Sequence, residues 1–152
     1  MDAFFDMNQG LPREGPGSSQ STQRASCVRN LPPKPLILEV GCGPGAQTVQ
    51  LEELCKGEIS AVDNRAIFLE QLRQRAAERS LSHVIHPILA DMTRLQFENS
   101  FFDMIWAEGS IFIIGVEKRL KEWRPLLKEE GSIAFSELSW LRADIPLELS
   151  QF

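Results

Sequence analysis

The sequence has no tyrosine, two histidines and three cysteines. Without tyrosine, no phenolic base is available to any chemistry this chain performs. Cys27, Cys42 and Cys55 are odd in number and share no metal-type spacing. That argues against a disulfide framework or structural zinc, and for reduced thiols in a cytoplasmic protein. No metal site is expected. Long apolar runs are also missing. Stretches such as Ile111-Phe112-Ile113-Ile114 fall far short of the roughly 18–20 residues a bilayer requires, so no membrane span is expected. The start, Met1-Asp2-Ala3-Phe4-Phe5-Asp6, lacks the basic stretch and apolar core of a signal peptide. Basic charge is in deficit, with 16 Lys+Arg against 21 Asp+Glu, a formal charge of −5. Such a protein has no electrostatic reason to seek nucleic acid.

What remains is an ordinary globular composition, with 43% apolar and 24% charged residues in 152, about one domain's worth. Gly10 through Gly17 is a run of backbone punctuation and reads as loop. Ser18 or Ser19 can cap a short helix through about Cys27. Leu31-Pro32-Pro33-Lys34-Pro35 then blocks any helix. Beyond it the pattern alternates. Strands are expected at Leu36–Val40, Ile59–Val62, His83–Leu89, Phe102–Ala107 and Ser132–Ser136. Helices are expected at Ala46–Cys55, with Leu51, Leu54 and Cys55 on one face, and at Ala66–Arg79, where Phe68, Leu72 and Ala76 recur at helical spacing. A last helix spans Glu117–Leu127, weakened late by Pro125 and ended by Gly131. Alternation of this kind predicts an α/β fold, a three-layer sandwich around a mainly parallel sheet, with the ligand crevice beyond the carboxyl ends of the strands.

Chemistry-bearing residues gather at those ends. The first strand runs into Gly41-Cys42-Gly43-Pro44-Gly45-Ala46, where glycines permit a sharp turn and a ligand's close approach. Asp63 ends the second strand, 20 residues after Gly43, where a carboxylate can accept both ribose hydroxyls of an adenosine. These two features fit a dinucleotide site equally well. Glu39 breaks the tie. A carboxylate before the glycines can neutralise an ammonium group and would repel a pyrophosphate. Asp91, after the third strand, can accept an adenine amino group.

Ile37-Leu38-Glu39-Val40-Gly41-Cys42-Gly43-Pro44-Gly45 closely resembles the first motif of class I S-adenosylmethionine-dependent methyltransferases. Val62-Asp63-Asn64, Ala90-Asp91-Met92, Phe102-Asp103-Met104-Ile105-Trp106 and Leu126 through Ser132 resemble its later motifs, in order, over about residues 35–137. Phe4 through Gly17 is similar to the leader of some small bacterial members. The resemblance implies a Rossmann-like domain over 35–152 behind an N-terminal lid or helical segment over 1–34. It implies S-adenosylmethionine as cofactor, S-adenosylhomocysteine as its product, and a small-molecule methyl acceptor. Gly41, Gly43 and Gly45 would hold the methionine end, with Glu39 near its ammonium group. Asp63 would bind the ribose and Asn64 would lie beside the adenosine. Asp91 would hold the adenine amino group, with the Met92 amide facing the ring, and the Trp106 backbone would border the methionine. Cys42 belongs to the loop at a variable position, with an incidental thiol.

No catalytic residue is assigned. Glu108, just past the fourth strand, is the candidate base, against the plainer reading of an exposed loop carboxylate or a structural hydrogen-bond acceptor, and Glu137 stands similarly after the fifth with a weaker case. His83 and His86 lie away from the active end and read as structural or solvated. Phe4 and Phe5 could fold over the cofactor. Arg13 and Arg24 could meet a ligand carboxylate, although arginine on a polar segment is usually solvated. Trp123 and Trp140 read as packing residues. Two other functions compete: an NAD-dependent oxidoreductase and a non-catalytic cofactor-binding module.

The family's sheet usually has seven strands and ends in an antiparallel hairpin. The sequence stops at Phe152, so the C-terminal hairpin strands are missing from the expected fold. Ser132–Ser136 would then be an open sheet edge. Coverage by Trp140–Phe152, or by a second copy in a homodimer, is expected.

Overall fold

The computed structural model describes residues 11, 13, 15, 17–28, 30–111 and 115–137. Phe4, Phe5, Trp140, the segment Trp140–Phe152 and most of Ile111–Ile114 lie outside the described residues, and the expectations attached to them lie there too.

The chain first forms α1 (Ser19–Ser26), which begins where a serine can start it: the Ser18 side chain accepts the Ser21 amide at 3.2 Å. Then come β1 (Leu36–Val40), α2 (Ala46–Cys55), β2 (Glu58–Asp63), α3 (Ala66–Glu78), β3 (Ile85–Leu89), β4 (Phe102–Glu108), α4 (Val116–Trp123) and β5 (Leu127–Ser136). The strands form a five-stranded sheet in the order β3-β2-β1-β4-β5, and every neighbouring pair is parallel. This is the predicted α/β sandwich. The winding reverses beside β1, between β2 and β4.

Alternation along the strands divides the core into two layers. On one side of the sheet, Ile37, Ile59, Met104 and Trp106 pack with Leu51 of α2 and Leu69, Leu72 and Ala76 of α3. On the other, Leu38, Val40, Val62 and Ile105 pack with Trp123 and Leu126. The Asp103 carboxylate fixes the sheet from below: it accepts the Leu36 amide at 2.9 Å and Lys128 at 2.8 Å, tying β1, β4 and β5 together. Pro87 is tolerated in β3 because that strand is an edge.

Four expectations need correction. The last helix ends at Trp123, because Pro125 has no amide to give and crowds the preceding turn; Arg124–Leu126 become one turn of 3-10 helix. The fifth strand therefore starts at Leu127, with extra residues before Ser132 absorbed as an irregularity opposite Phe102–Met104. The third strand starts at Ile85, which leaves His83 in the preceding turn. On α2 the buried face carries Thr48, Leu51 and Glu52, while Leu54 is exposed.

Candidate functional site

Three glycines shape the turn between β1 and α2, all at positive φ: 75° at Gly41, 52° at Gly43 and 89° at Gly45. They serve different ends. A methyl group on Gly41 would lie 2.4 Å from the Ser110 Cβ, and one on Gly45 would lie 2.3 Å from Leu72 Cδ1, so packing demands both glycines. A methyl on Gly43 would meet nothing within 4 Å. Gly43 therefore faces open space, where a ligand can lie against backbone.

The turn is braced from several directions. The Gly41 and Cys42 amides donate to the Val62 carbonyl at 2.8 and 3.0 Å, and Gln47 Nε2 donates to the Cys42 carbonyl at 3.1 Å. Ser110 Oγ donates to the Val40 carbonyl at 2.6 Å. Cys42 is fully buried, and burial raises its thiol pKa, in keeping with an incidental role for sulfur. Asp63 accepts the Gly43 amide and the Arg65 amide, each at 2.9 Å. Burial raises the Asp63 pKa, while the amides of Gly43, Arg65 and Asn64 hold it down. The acid that ends β2 thus touches the glycine turn directly, a contact that the spacing alone did not predict.

Glu39 is the most unusual group. It is 1% exposed, and neither carboxylate oxygen meets a donor in hydrogen-bonding geometry among the described residues. Burial pushes its pKa up to about 8. The nearby Thr48 hydroxyl and the Arg13 charge pull it back, while Glu108 and Asp63 push it further. An unpaired buried carboxyl of this kind is costly and fits a cationic ligand group.

Asp91 is exposed, and its carboxylate accepts the Thr93 amide at 2.8 Å, which lowers its pKa. The Met92 side chain comes close to Gly41, and its carbonyl accepts Trp123 Nε1 at 3.4 Å. Asn64 is exposed. Trp106 is buried and lies directly opposite Glu39 across the β1–β4 ladder. Trp123 is a packing residue, as expected.

The expected place of Glu108 changes. It is the last residue of β4 rather than a loop residue, it is buried, and its carboxylate is engaged by Arg13, Thr22 and Trp106. Arg13 is therefore not a solvated arginine, and Thr22 is fully buried. Sequence reading missed Thr22, Thr48 and Ser110. Only the short side chains of Thr48 and Ser110 near strand ends could have hinted at them. Glu137 is exposed, and Arg24 is exposed. His83 is exposed, and His86 pairs with Glu58 at 3.0 Å, away from the strand ends that form the site. Beside Glu108 lies a cleft of about 530 Å³, walled by Ala25 and Val28 on one side and Ile133, Ala134 and Phe135 on the other. No described helix is long and apolar enough to cross a membrane.

A family model described as "Methyltransferase domain" matches residues 37–131. The chain is similar to a glycine/sarcosine/dimethylglycine N-methyltransferase of Actinopolyspora halophila, with 23% identity over 138 residues, 87% of this chain and 24% of that protein. It is also similar to a sterol 24-C-methyltransferase of Candida albicans, with 26% identity over 109 residues, 71% of this chain and 28% of the relative. The chain thus spans less than a third of the length of either. Among solved structures, the [4+2]-cyclase SpnF superposes with a TM-score of 0.70 at 23% identity, over 77% of this chain and 43% of that one. Geranyl diphosphate C-methyltransferase from Streptomyces coelicolor, solved with S-adenosyl-L-homocysteine, superposes with a TM-score of 0.69 at 16% identity, over 77% and 43%. Likenesses at that identity establish the fold.

Proposed function

The chain belongs to the methyltransferase-domain family, and on that premise we propose that it binds S-adenosylmethionine and directs its methyl group to a small-molecule acceptor. The observation that carries this reading is the buried, unpaired Glu39 carboxyl beside the open backbone of Gly43 and the braced Asp63. A sulfonium supplies an electrophilic methyl group when bound, so the protein's work is to bind and to aim. Glu39 neutralises the ammonium group. Gly41, Cys42, Gly43 and Gly45 present backbone to the methionine end. Asp63 receives the ribose hydroxyls and Asn64 flanks the adenosine. Asp91 and the Met92 amide serve the adenine, and the Trp106 backbone closes the methionine side.

An NAD-dependent reading fares worse, because a buried acid at Glu39 disfavours a pyrophosphate. A cofactor-binding module without methyl transfer is the second reading. It is favoured by the full engagement of Glu108, which leaves the candidate base without a free oxygen. The fold itself does not decide, since a cyclase shares it.

The same proposal includes an N-terminal lid over 1–34 and a cofactor domain over 35–152, supported by the Arg13–Glu108 contact between them. It also includes residence in the cytoplasm, supported by three free thiols, and pairing of two copies along β5. The pairing is supported by exposed Phe135 on a strand whose one described neighbour is β4.

Calorimetry with S-adenosylmethionine and S-adenosylhomocysteine tests the reading. Saturable binding of both, with thermal stabilisation, is expected. No heat and no stabilisation from either, or preferential binding of NAD, overturns it.

A further inference from the structure

Donors from three stretches of chain converge on the Glu108 carboxylate. Arg13 Nη1 donates to Oε1 at 2.5 Å, Thr22 Oγ1 to Oε2 at 2.9 Å, and Trp106 Nε1 to Oε2 at 3.3 Å. Arg13 Nη2 reaches Thr22 Oγ1 at 3.4 Å, closing a small ring of polar contacts. The backbone is fitted around this ring. A methyl on Gly17 would lie 2.4 Å from Glu108 Oε1 and 2.8 Å from Arg13 Nη1, and one on Gly15 would lie 3.3 Å from the Gly109 backbone. The ring sits over the face of the sheet that carries Glu39. Glu39 stands opposite Trp106, and Glu108 follows Trp106 by two residues, so strand alternation turns all three the same way.

We propose that Glu108 is a positioning residue rather than a proton acceptor: with Arg13 it clasps the segment from Arg13 through α1 onto the end of β4, and the clasp sets the charge environment in which Glu39 receives the cofactor's ammonium group. The inference rests on the S-adenosylmethionine reading for its ligand, but not for the clasp itself. A carboxylate whose two oxygens are already taken up by a guanidinium, a hydroxyl and an indole N–H has no oxygen left to face an acceptor's proton, so it is poorly placed to act as a base. The charged groups acting on Glu39 are Arg13 from the N-terminal segment, Glu108 from β4 and Asp63 from β2; the Thr48 hydroxyl faces it from α2. Arg13 favours the Glu39 carboxylate and Glu108 opposes it. Breaking the clasp from its two ends therefore has opposite consequences one strand away.

The test is calorimetric titration of the full chain with S-adenosylhomocysteine between about pH 6 and about pH 9, alongside amide exchange over 17–28. Wild-type affinity should rise with pH as Glu39 ionises. Arg13→Met should move that rise up by about one pH unit, and Glu108→Gln should move it down by a similar amount. Both should speed exchange in α1, and Arg13→Lys should recover most of the wild-type profile. Thr22→Val, a milder change that leaves both charges, should speed exchange without moving the pH profile. Shifts in the same direction, or none, overturn the electrostatic part. Unchanged exchange in all variants overturns the clasp. If wild type binds no S-adenosylhomocysteine, the methyltransferase reading falls and amide exchange alone decides the clasp.

Discussion

The carboxyl ends of β1 and β4 lie side by side in the sheet, and each holds a carboxylate that water barely reaches: Glu39 is 1% exposed and Glu108 is 8%. Their surroundings are opposite. Glu108 receives a guanidinium, a hydroxyl and an indole N–H, and these tie down a segment from the far N-terminal side of the chain. Glu39 receives no hydrogen bond among the described residues. A fold can offset the desolvation of one buried acid with donors of its own, and it does so at β4. At β1 it leaves the cost standing, beside a glycine turned toward open space. That asymmetry separates an end of the sheet used for internal attachment from one that leaves a buried acid unpaired, and the ligand site proposed above rests on it.

The contrast has its largest consequence in the pH dependence of stability. Glu39 titrates near 4.5 when unperturbed and at about 8 in the folded chain. Its contribution is fully present below the lower value and is lost as pH rises toward the upper one, because the unfolded chain gives up the proton first. The loss has an upper bound of about 5 kcal/mol, from roughly 1.4 kcal/mol per pH unit. Asp63, also raised by burial, acts in the same direction, so the Glu39→Gln variant is needed to isolate the effect. Urea unfolding should show the two proteins alike near pH 4 and the variant clearly more stable near pH 9. Parallel profiles would mean that Glu39 is not a strained acid, and the contrast between the two ends would disappear.

The β1 end was largely legible in the sequence because its parts are local. A strand, three glycines and a helix follow in order, and Asp63 falls where the next strand must end. The backbone there obeys short-range rules, and the glycine turn and the acid that ends β2 fall where the pattern puts them; that the Gly43 amide donates to Asp63 is added by the structure. The β4 end was not legible. Arg13 and Glu108 are 95 residues apart in sequence, and nothing in either local pattern names the other. Strand alternation along Met104, Trp106 and Glu108 could have placed the acid on the α1 side of the sheet, but not its partners. The misplaced end of α4 has a nearer cause. Helical periodicity carried past Trp123, and Pro125 ended it sooner than its apolar neighbours suggested.

The next effect in size concerns the attachment itself. Glu108→Ala removes the carboxylate that Arg13, only 16% exposed, pairs with among the described residues, and it takes an acceptor from Thr22 and the Trp106 indole as well. Breaking one partner of such a pair should cost about 3 kcal/mol at neutral pH. Glu39→Gln should instead stabilise there, although both substitutions remove one buried carboxylate. A loss below about 0.5 kcal/mol in urea unfolding of Glu108→Ala would place the pair with ordinary surface substitutions.

The smallest effect compares one glycine from each end. Gly17→Ala forces a methyl between the Glu108 carboxylate and the Arg13 guanidinium, at a backbone φ of 151°. Both side chains are held in place, so the methyl must displace one of them, at a cost of about 2 kcal/mol by analogy with overpacking. Gly43→Ala, at φ 52°, meets nothing within 4 Å and pays only for its left-handed backbone, about 1 kcal/mol. The order should reverse in a ligand titration. A methyl at Gly43 projects into the open space where the proposed ligand would lie, so it should weaken S-adenosylhomocysteine binding more than Gly17→Ala does. If Gly43→Ala were the more destabilising of the two yet bound the ligand as wild type does, the open face of the β1 turn would be packing space rather than a binding surface.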